Sequence, residues 1–216
     1  MRELVKKEFG FTSLKLTYFF ILFGLMSFIP GYPILLGAFF ITLGIFQTFE
    51  DARLQNDVLF TVLLPIKKKD VVSARYLYVI IVESLFFVLC AIITAIRMTI
   101  LKNSNVYLQN AMMNANLAYL GYILIILALF NTIFLKGFYK TGYYVGKPFI
   151  LYGIASFVVV AIAEAAHHFP ALKALNSPSE GLNIQAMILL FGLVFYSLST
   201  LISWKKSQRN FELLDL

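Results

Sequence analysis

The chain has 216 residues, of which 60% are hydrophobic and 13% are charged, and its mean hydropathy is +0.83. A soluble domain is about half apolar and about a quarter charged, so this composition in water would leave large apolar patches exposed. It excludes a soluble enzyme and a disordered segment, and it predicts an integral membrane protein. The net charge of +7 does not indicate a nucleic-acid partner, because the basic residues lie between apolar runs rather than on one soluble face.

Six apolar runs in chain order predict six transmembrane helices in a single domain covering residues 1–216. Each run has 16 residues or more and lacks strict two-residue alternation, which favours helices over the strands of a barrel. The predicted fold class is therefore all-α, a polytopic membrane protein. The predicted spans are residues 14–29, 33–49, 76–101, 117–135, 149–166 and 184–204.

The distribution of basic residues predicts the orientation. Fifteen Lys and Arg residues lie in the N-terminal segment, in the loops after the second and fourth spans, and in the C-terminal tail, whereas three lie on the opposite side. By the positive-inside rule, both termini are expected in the cytoplasm. The segment Met1–Thr12 mixes basic and apolar residues, which suits a short amphipathic helix in the membrane interface. The alternative is a frayed basic tail.

Motifs for catalysis, phosphate binding and metal binding are missing from the sequence. It contains no G-x-x-x-x-G-K-[ST], no H-E-x-x-H and no C-x-x-C. Cys90 lies inside an apolar run, and the adjacent pair His167 and His168 is a poor shared metal site because neighbours on a helix point in different directions. The sequence predicts that the chain is not an enzyme by itself and holds no cofactor or metal.

The loop Glu50–Arg75 is the most informative part of the sequence. Acidic residues come first, then the apolar stretch Val58–Ile66, then three lysines. This stretch is too short to cross a bilayer, so it needs the membrane interface, the ends of the bundle or a partner protein to cover it. A short helix ending before Pro65 would offer Val58, Leu59, Val62 and Leu63 to a partner groove. The alternative is a membrane-surface helix with its lysines on anionic lipid.

A polar stripe runs along the third predicted span. Tyr76, Glu83, Cys90 and Arg97 recur every seven residues and therefore lie close to one helix face. Ionisable groups at membrane depth usually face a bundle interior or a wet cavity. We hypothesise that Tyr76, Glu83 and Arg97 face a translocation path or a subunit interface. For Arg97, near the outer end, the alternative is a side chain that extends to the membrane surface.

The pattern resembles the ABC-2 type permeases, the membrane subunits of a class of bacterial ABC transporters. The resemblance rests on the topology, on Lys7-Glu8-Phe9 at the end of the N-terminal helix, and on the residues from Asp57 to Leu77, which include Leu64-Pro65-Ile66 followed by three lysines. The segment is most similar to that of the small permeases, a group that includes exporters of phenol-soluble modulins.

The resemblance implies a function and partners. In that family, the loop after the second span forms a coupling helix that docks on a separate ABC ATPase subunit, which binds ATP and Mg²⁺. Two permeases, identical or different, pair with two ATPases in the bacterial cytoplasmic membrane and export lipids, peptides or drugs. Carried over to this chain, the docking element would be Glu50–Lys69, with contact candidates Asp57, Phe60, Leu63, Leu64 and Lys67.

Two other functions compatible with six spans stay open at this point. One is the substrate-capture subunit of an energy-coupling vitamin importer, which would bind a small ligand by itself. The other is a membrane protein that transports nothing, such as an immunity or assembly factor, which would have no ATPase partner.

Overall fold

The computed structural model describes residues 1–142 and 144–214, and this part of the chain is helical without any strand. π-helical turns extend two of the helices at Glu8–Thr12 and Phe130–Leu135, and 3₁₀ segments occupy Leu22–Phe28 and Pro170–Asn176. The α-helices in chain order are α1 (Arg2–Lys7), α2 (Lys15–Ile21), α3 (Leu36–Leu54), α4 (Asp57–Leu63), α5 (Lys68–Thr99), α6 (Asn105–Leu108), α7 (Leu117–Leu129), α8 (Lys136–Thr141), α9 (Gly146–Ala166) and α10 (Leu182–Glu212).

Four helical stretches in the described chain are long and apolar enough to cross a membrane. A fifth is present if Arg2–Thr12 and Lys15–Phe28, which meet at an angle of 91°, count as one broken span. The third to sixth predicted spans are confirmed as helices, whereas the total of six spans is not confirmed. The four stretches are Lys68–Thr99, Leu117–Thr141, Gly146–Ala166 and Leu182–Glu212.

The first two predicted spans differ most from the structure. The first is divided between α2 and a 3₁₀ segment. The second begins at Leu36 instead of residue 33 and continues to Leu54, so that its last turns contain Glu50, Asp51 and Arg53. The apolar part of α3 is therefore shorter than the hydrocarbon core of about 30 Å.

The long helices α7 and α10 approach each other closely at two glycines. A Cβ atom added to Gly121 would lie 2.6 Å from the carbonyl oxygen of Ile188, and one added to Gly192 would lie 2.6 Å from the carbonyl oxygen of Gly121. Small residues allow the backbones of membrane helices to pack at this distance. These two glycines therefore set the packing of α10 along the bundle.

The outer faces of α9 and α10 are apolar and exposed. Ile154 and Phe157 on α9, and Leu190 and Phe191 on α10, are each at least half exposed. In water this would be unfavourable, but lipid tails solvate such side chains. The exposure supports the prediction of a multi-pass membrane protein.

Candidate functional site

The helix α4 lies in the loop that the sequence singled out. Asn56 adopts a left-handed conformation with φ 53° and reverses the chain after α3, as asparagine tolerates better than most residues. The helix begins at Asp57 and ends at Leu63, and Leu64 is extended in front of Pro65. The predicted short helix and its end before the proline are confirmed.

The helix α4 has an inner and an outer face. Thr61 is buried, and Val58 and Val62 pack against the hydrophobic core of the bundle. The prediction that Val58 and Val62 face a partner is therefore wrong, because these side chains fix α4 to its own bundle. The apolar side chains on the outer face are exposed by 46% to 82%: Leu59, Phe60, Leu63 and Leu64.

A buried arginine connects α4 with α5 and with the N-terminal segment. Arg75 is 2% exposed, and its Nε donates to Glu8 Oε2 at 2.6 Å. Its Nη2 donates to Asp57 Oδ2 at 2.7 Å. The guanidinium also lies over the Phe49 ring, 5.2 Å from the ring centre. Arg75 therefore ties the beginning of α5 to the beginning of α4 and to the turn after α1.

Lys7 completes the cluster from the N-terminal side. Its Nζ lies 2.5 Å from Asp57 Oδ1 and donates to Thr61 Oγ1 at 2.6 Å. Burial alone would raise the pKa of Asp57, but the charges of Arg75 and Lys7 outweigh it and hold this pKa below its ordinary value. We call Lys7, Glu8, Asp57 and Arg75 the ionic anchor.

Sequence reasoning did not find the ionic anchor. Glu8 and Arg75 are 67 positions apart in the chain, and no helical or strand periodicity relates them. The sequence analysis placed Asp57 among the docking contacts, whereas the Asp57 carboxylate contacts Lys7 and Arg75 within the chain. One indication of the ionic anchor was present in the sequence, namely isolated charges beside apolar runs. Such charges need partners of opposite charge when they are buried.

The lysines after α4 lie beside the end of α10. Lys67 is exposed and directly precedes α5. Lys68 donates to the backbone carbonyl of Leu214, and Lys69 Nζ lies 3.2 Å from Glu212 Oε1. Lys67 takes no part in these two contacts with the end of α10. The sequence predicts docking through this loop, and we refer to Leu59, Phe60, Leu63, Leu64 and Lys67 as its docking face.

Two members of the polar stripe on α5 contact α10. The Tyr76 hydroxyl lies 2.9 Å from Ser203 Oγ and 2.8 Å from Ser207 Oγ. Further along α5, Glu83 Oε2 accepts hydrogen bonds from the Tyr196 hydroxyl at 2.6 Å and from Asn131 Nδ2 at 3.0 Å. Glu83 also borders a groove of about 330 Å³ that is otherwise mostly apolar.

Arg97 lies apart from the other two residues of the stripe. It is 4% exposed and does not extend to the surface. Its guanidinium donates to the backbone carbonyl of Ser27 and to Asn114 Oδ1, and it lies 3.5 Å from the centre of the Tyr107 ring. Arg97 thus connects the end of the 3₁₀ segment after α2 with the segment between α5 and α7, and it does not share a site with Glu83.

Among the described residues, no group of three or more His, Cys, Asp or Glu side chains is placed to hold a metal ion. The rings of His167 and His168 lie with their centres 4.3 Å apart and their planes tilted by 36°, and Cys90 is a buried free thiol. The buried polar groups Arg75, Tyr76 and Glu83 instead form contacts between helices.

Comparison with known protein families identifies the chain. A family model described as "ABC-2 family transporter protein" matches residues 3–212. The chain belongs to the ABC-2 transporter family. This confirms the resemblance, and it makes the chain a membrane permease component of an ABC transporter, a class that works with an ABC ATPase subunit. The searches among curated proteins and among solved structures gave no match.

Proposed function

We propose that this ABC-2 permease docks on a separate ATPase subunit through the docking face and exports an amphipathic substrate, a peptide, lipid or drug, across the bacterial cytoplasmic membrane. The observation that carries the proposal is the exposure of Phe60 and Leu63, at 68% and 82%, on a helix too short to cross the membrane. Family membership supports the same reading over a substrate-capture subunit of a vitamin importer or an immunity factor.

The division of α4 into two faces supports docking on a protein. Its inner face is fixed by Val62, Thr61 and the ionic anchor, so the outer face is presented in one orientation. A short helix with apolar residues on one side fits a hydrophobic groove on a partner, and a preformed helix loses less conformational entropy on binding. In this arrangement Phe60, Leu63, Leu64 and Lys67 contact the ATPase, whereas Asp57 positions the helix.

The ionic anchor suggests how movement of the ATPase reaches the membrane helices. Closure of two ATPase subunits on ATP and Mg²⁺ would push α4 of each of two permeases. Asp57 passes this displacement to Arg75 at the beginning of α5, and Arg75 is also bound to Glu8. Because α5 has 32 residues, about 48 Å in length, a shift at its beginning extends across the bilayer.

The polar stripe on α5 is the proposed place where this displacement is used. Tyr76 and Glu83 bind side chains of α10 and of the turn after α7, and Glu83 borders the groove described above. A change in the tilt of α5 alters these contacts. We propose that the groove belongs to the translocation path or the subunit interface, and that Arg97 holds together the outer segments that contain Ser27 and Asn114.

Docking can be tested by coexpression in the native cell. A tagged permease should copurify with a protein that contains an ABC ATPase sequence, identified by mass spectrometry, and the double variant Leu63→Asp/Leu64→Asp should lose it. The matched control is Leu213→Asp at the end of α10, since Leu213 is 76% exposed but lies outside α4. Retention of the ATPase by the double variant, at wild-type yield, contradicts this mode of docking.

A further inference from the structure

A second cavity, separate from the docking face and the groove at Glu83, lies where the ends of α3 and α8 meet the beginning of α9. Its volume is about 740 Å³, and Arg53, Lys140 and Lys147 are part of its lining. These residues belong to the side of the protein that carries most of the basic residues, which the positive-inside rule places in the cytoplasm. The cavity therefore lies at the level of the inner leaflet.

The charges around this cavity are predominantly positive. Lys140 and Lys147 are exposed and form no salt bridge with any residue in the described part of the chain. Arg53 has Glu50 at 4.0 Å, the limit of an ion pair, and the Glu50 side chain is 45% exposed. Lys140 and Lys147, with Arg53 beside them in the lining, give the cavity a positive charge that favours an anionic occupant.

The backbone of α9 adds to the attraction for an anion. This helix has 21 residues and begins at Gly146, and none of the described side chains caps its first turn. Gly146 lines the cavity, and a Cβ atom added to it would meet nothing within 4 Å. Pro148 has no amide hydrogen, so the backbone contributes here through the amide groups of Gly146 and Lys147 and through the positive end of the helix dipole, which adjoin the same space as Lys140 and the Lys147 side chain.

The rest of the lining is largely apolar, which distinguishes the cavity from a site for a bare anion. Ile133, Val145, Pro148 and Leu151 contribute side chains to its wall. A volume of about 740 Å³ is in the range of pockets for ligands of drug size, about 300–1,000 Å³, and exceeds what a phosphate ion fills. We propose that this cavity binds an anionic phospholipid of the inner leaflet, with its phosphate on Lys140, Lys147 and Arg53 and its upper acyl chain along Ile133 and Leu151.

The proposal goes beyond ATPase docking and does not depend on it. Arg53 lies in the last turn of α3, and α4 begins at Asp57. A lipid held at Arg53 would therefore contact the chain directly before the docking face. Its negative charge would affect the stability of the connection between α3 and α4. Lipid binding can be measured on the permease alone, so its failure would be distinguishable from a failure of docking.

Native mass spectrometry of the purified full chain, titrated with phosphatidylglycerol or phosphatidylcholine of identical acyl chains, tests the proposal. We expect phosphatidylglycerol to bind at lower concentration than phosphatidylcholine. The double variant Lys140→Gln/Lys147→Gln should weaken phosphatidylglycerol binding about tenfold or more, because each lysine near a membrane surface is worth about fivefold in affinity. Leu151→Trp, at a half-exposed position, should weaken both lipids by filling the space for the chain.

The control removes two lysines from the same side of the protein but outside the cavity. Lys205 and Lys206 are exposed on α10, and Lys205→Gln/Lys206→Gln should leave the affinity within about twofold of wild type. Equal losses in the two double variants would mean general surface attraction and would overturn the proposal, as would unchanged binding in Lys140→Gln/Lys147→Gln. Displacement of the lipid by millimolar inorganic phosphate would also contradict the proposal, because the cavity would then be a site for a bare anion. A loss of permease dimers in Lys140→Gln/Lys147→Gln with unchanged lipid binding would contradict it too, because the cavity would then bind a second copy of the chain.

Discussion

Arg75 Nη2 lies 2.7 Å from Asp57 Oδ2 and joins the first residue of α4 to the beginning of the longest membrane helix. The same guanidinium binds Glu8 through Nε. Three segments that are distant in the chain thus meet at one buried side chain. The carboxylates of Glu8 and Asp57 are paired with the two cations Arg75 and Lys7, so the ionic anchor has no net charge.

Replacement of Arg75 should be the most destabilising single change in the ionic anchor. Arg75→Met leaves Glu8, which is 2% exposed, without its closest partner. Removal of one partner from a buried ion pair costs about 3–5 kcal/mol, so we expect a clearly lower midpoint of thermal unfolding in detergent. Lys6→Gln, which breaks an exposed pair with Glu3, is the control and should leave the midpoint unchanged. Wild-type stability of Arg75→Met would mean that the buried charges are not paired in the membrane protein.

Asp57→Asn should change the pH dependence of stability. The pKa of Asp57 is held below its ordinary value of 3.8, against the effect of burial, by Arg75 and Lys7. A carboxyl with a lowered pKa in the folded state contributes stability above its unfolded pKa, and loses this contribution as the pH falls through the folded value. We expect the difference in unfolding midpoint between wild type and Asp57→Asn to be constant from about pH 5 to 8 and to shrink below about pH 4. A difference that grows towards acid pH would contradict this assignment.

Glu83→Gln should separate assembly from transport. The variant keeps a carbonyl acceptor near Tyr196 and Asn131 but replaces the carboxyl group beside the groove with an amide. We expect normal assembly with the ATPase, and ATP-dependent uptake of a labelled amphipathic peptide into inverted vesicles reduced about tenfold, the effect of one lost buried hydrogen bond. Tyr196→Phe, which keeps the Glu83 carboxylate, is the control and should lose less. Wild-type transport by both Glu83→Gln and Arg97→Gln would refute a role for the stripe in the translocation path.

Gly121→Ala should destabilise the bundle where α7 meets α10. The added methyl group would lie 2.6 Å from a backbone carbonyl, which cannot move aside like a flexible side chain. Overpacking of this kind costs about 1–3 kcal/mol, measurable as a lower midpoint of thermal unfolding. Gly153→Ala on α9 is the matched control, because its methyl group meets nothing within 4 Å. If both variants unfold at the same temperature, the close approach of α7 and α10 is not present in the membrane.

Sequence patterns predicted the later membrane helices better than the first two. The apolar stretches on α5, α7, α9 and α10 are long, and a long apolar stretch in lipid has to be helical. The earlier runs are shorter, and their ends depend on Pro33 and on the charges after Phe49. Part of the first run forms a 3₁₀ segment, and the helix of the second run has a charged end. The α10 helix also continues through its basic tail to Glu212, because hydropathy marks the apolar part of a helix and not its end.

The sequence predicted where α4 lies in the chain, but not which of its sides faces the bundle. Pro65 indicated where α4 ends, and the apolar stretch indicated that a helix lies there. Which side of a seven-residue helix faces the bundle depends on contacts with distant segments, here through Asp57 and Thr61. No pattern within the loop contains that information, and Val58 and Val62 were for this reason assigned to the wrong face.

The contact of Gly192 with the backbone of Gly121 restricts how the bundle can rearrange. With a Cβ position 2.6 Å from the opposing carbonyl, neither helix has room to slide or rotate against the other without separation of the two backbones. During a transport cycle, α7 and α10 are therefore expected to move as one rigid body. Opening and closing would then take place along the borders of this body, where α5 and α9 meet it through side chains that can change rotamer.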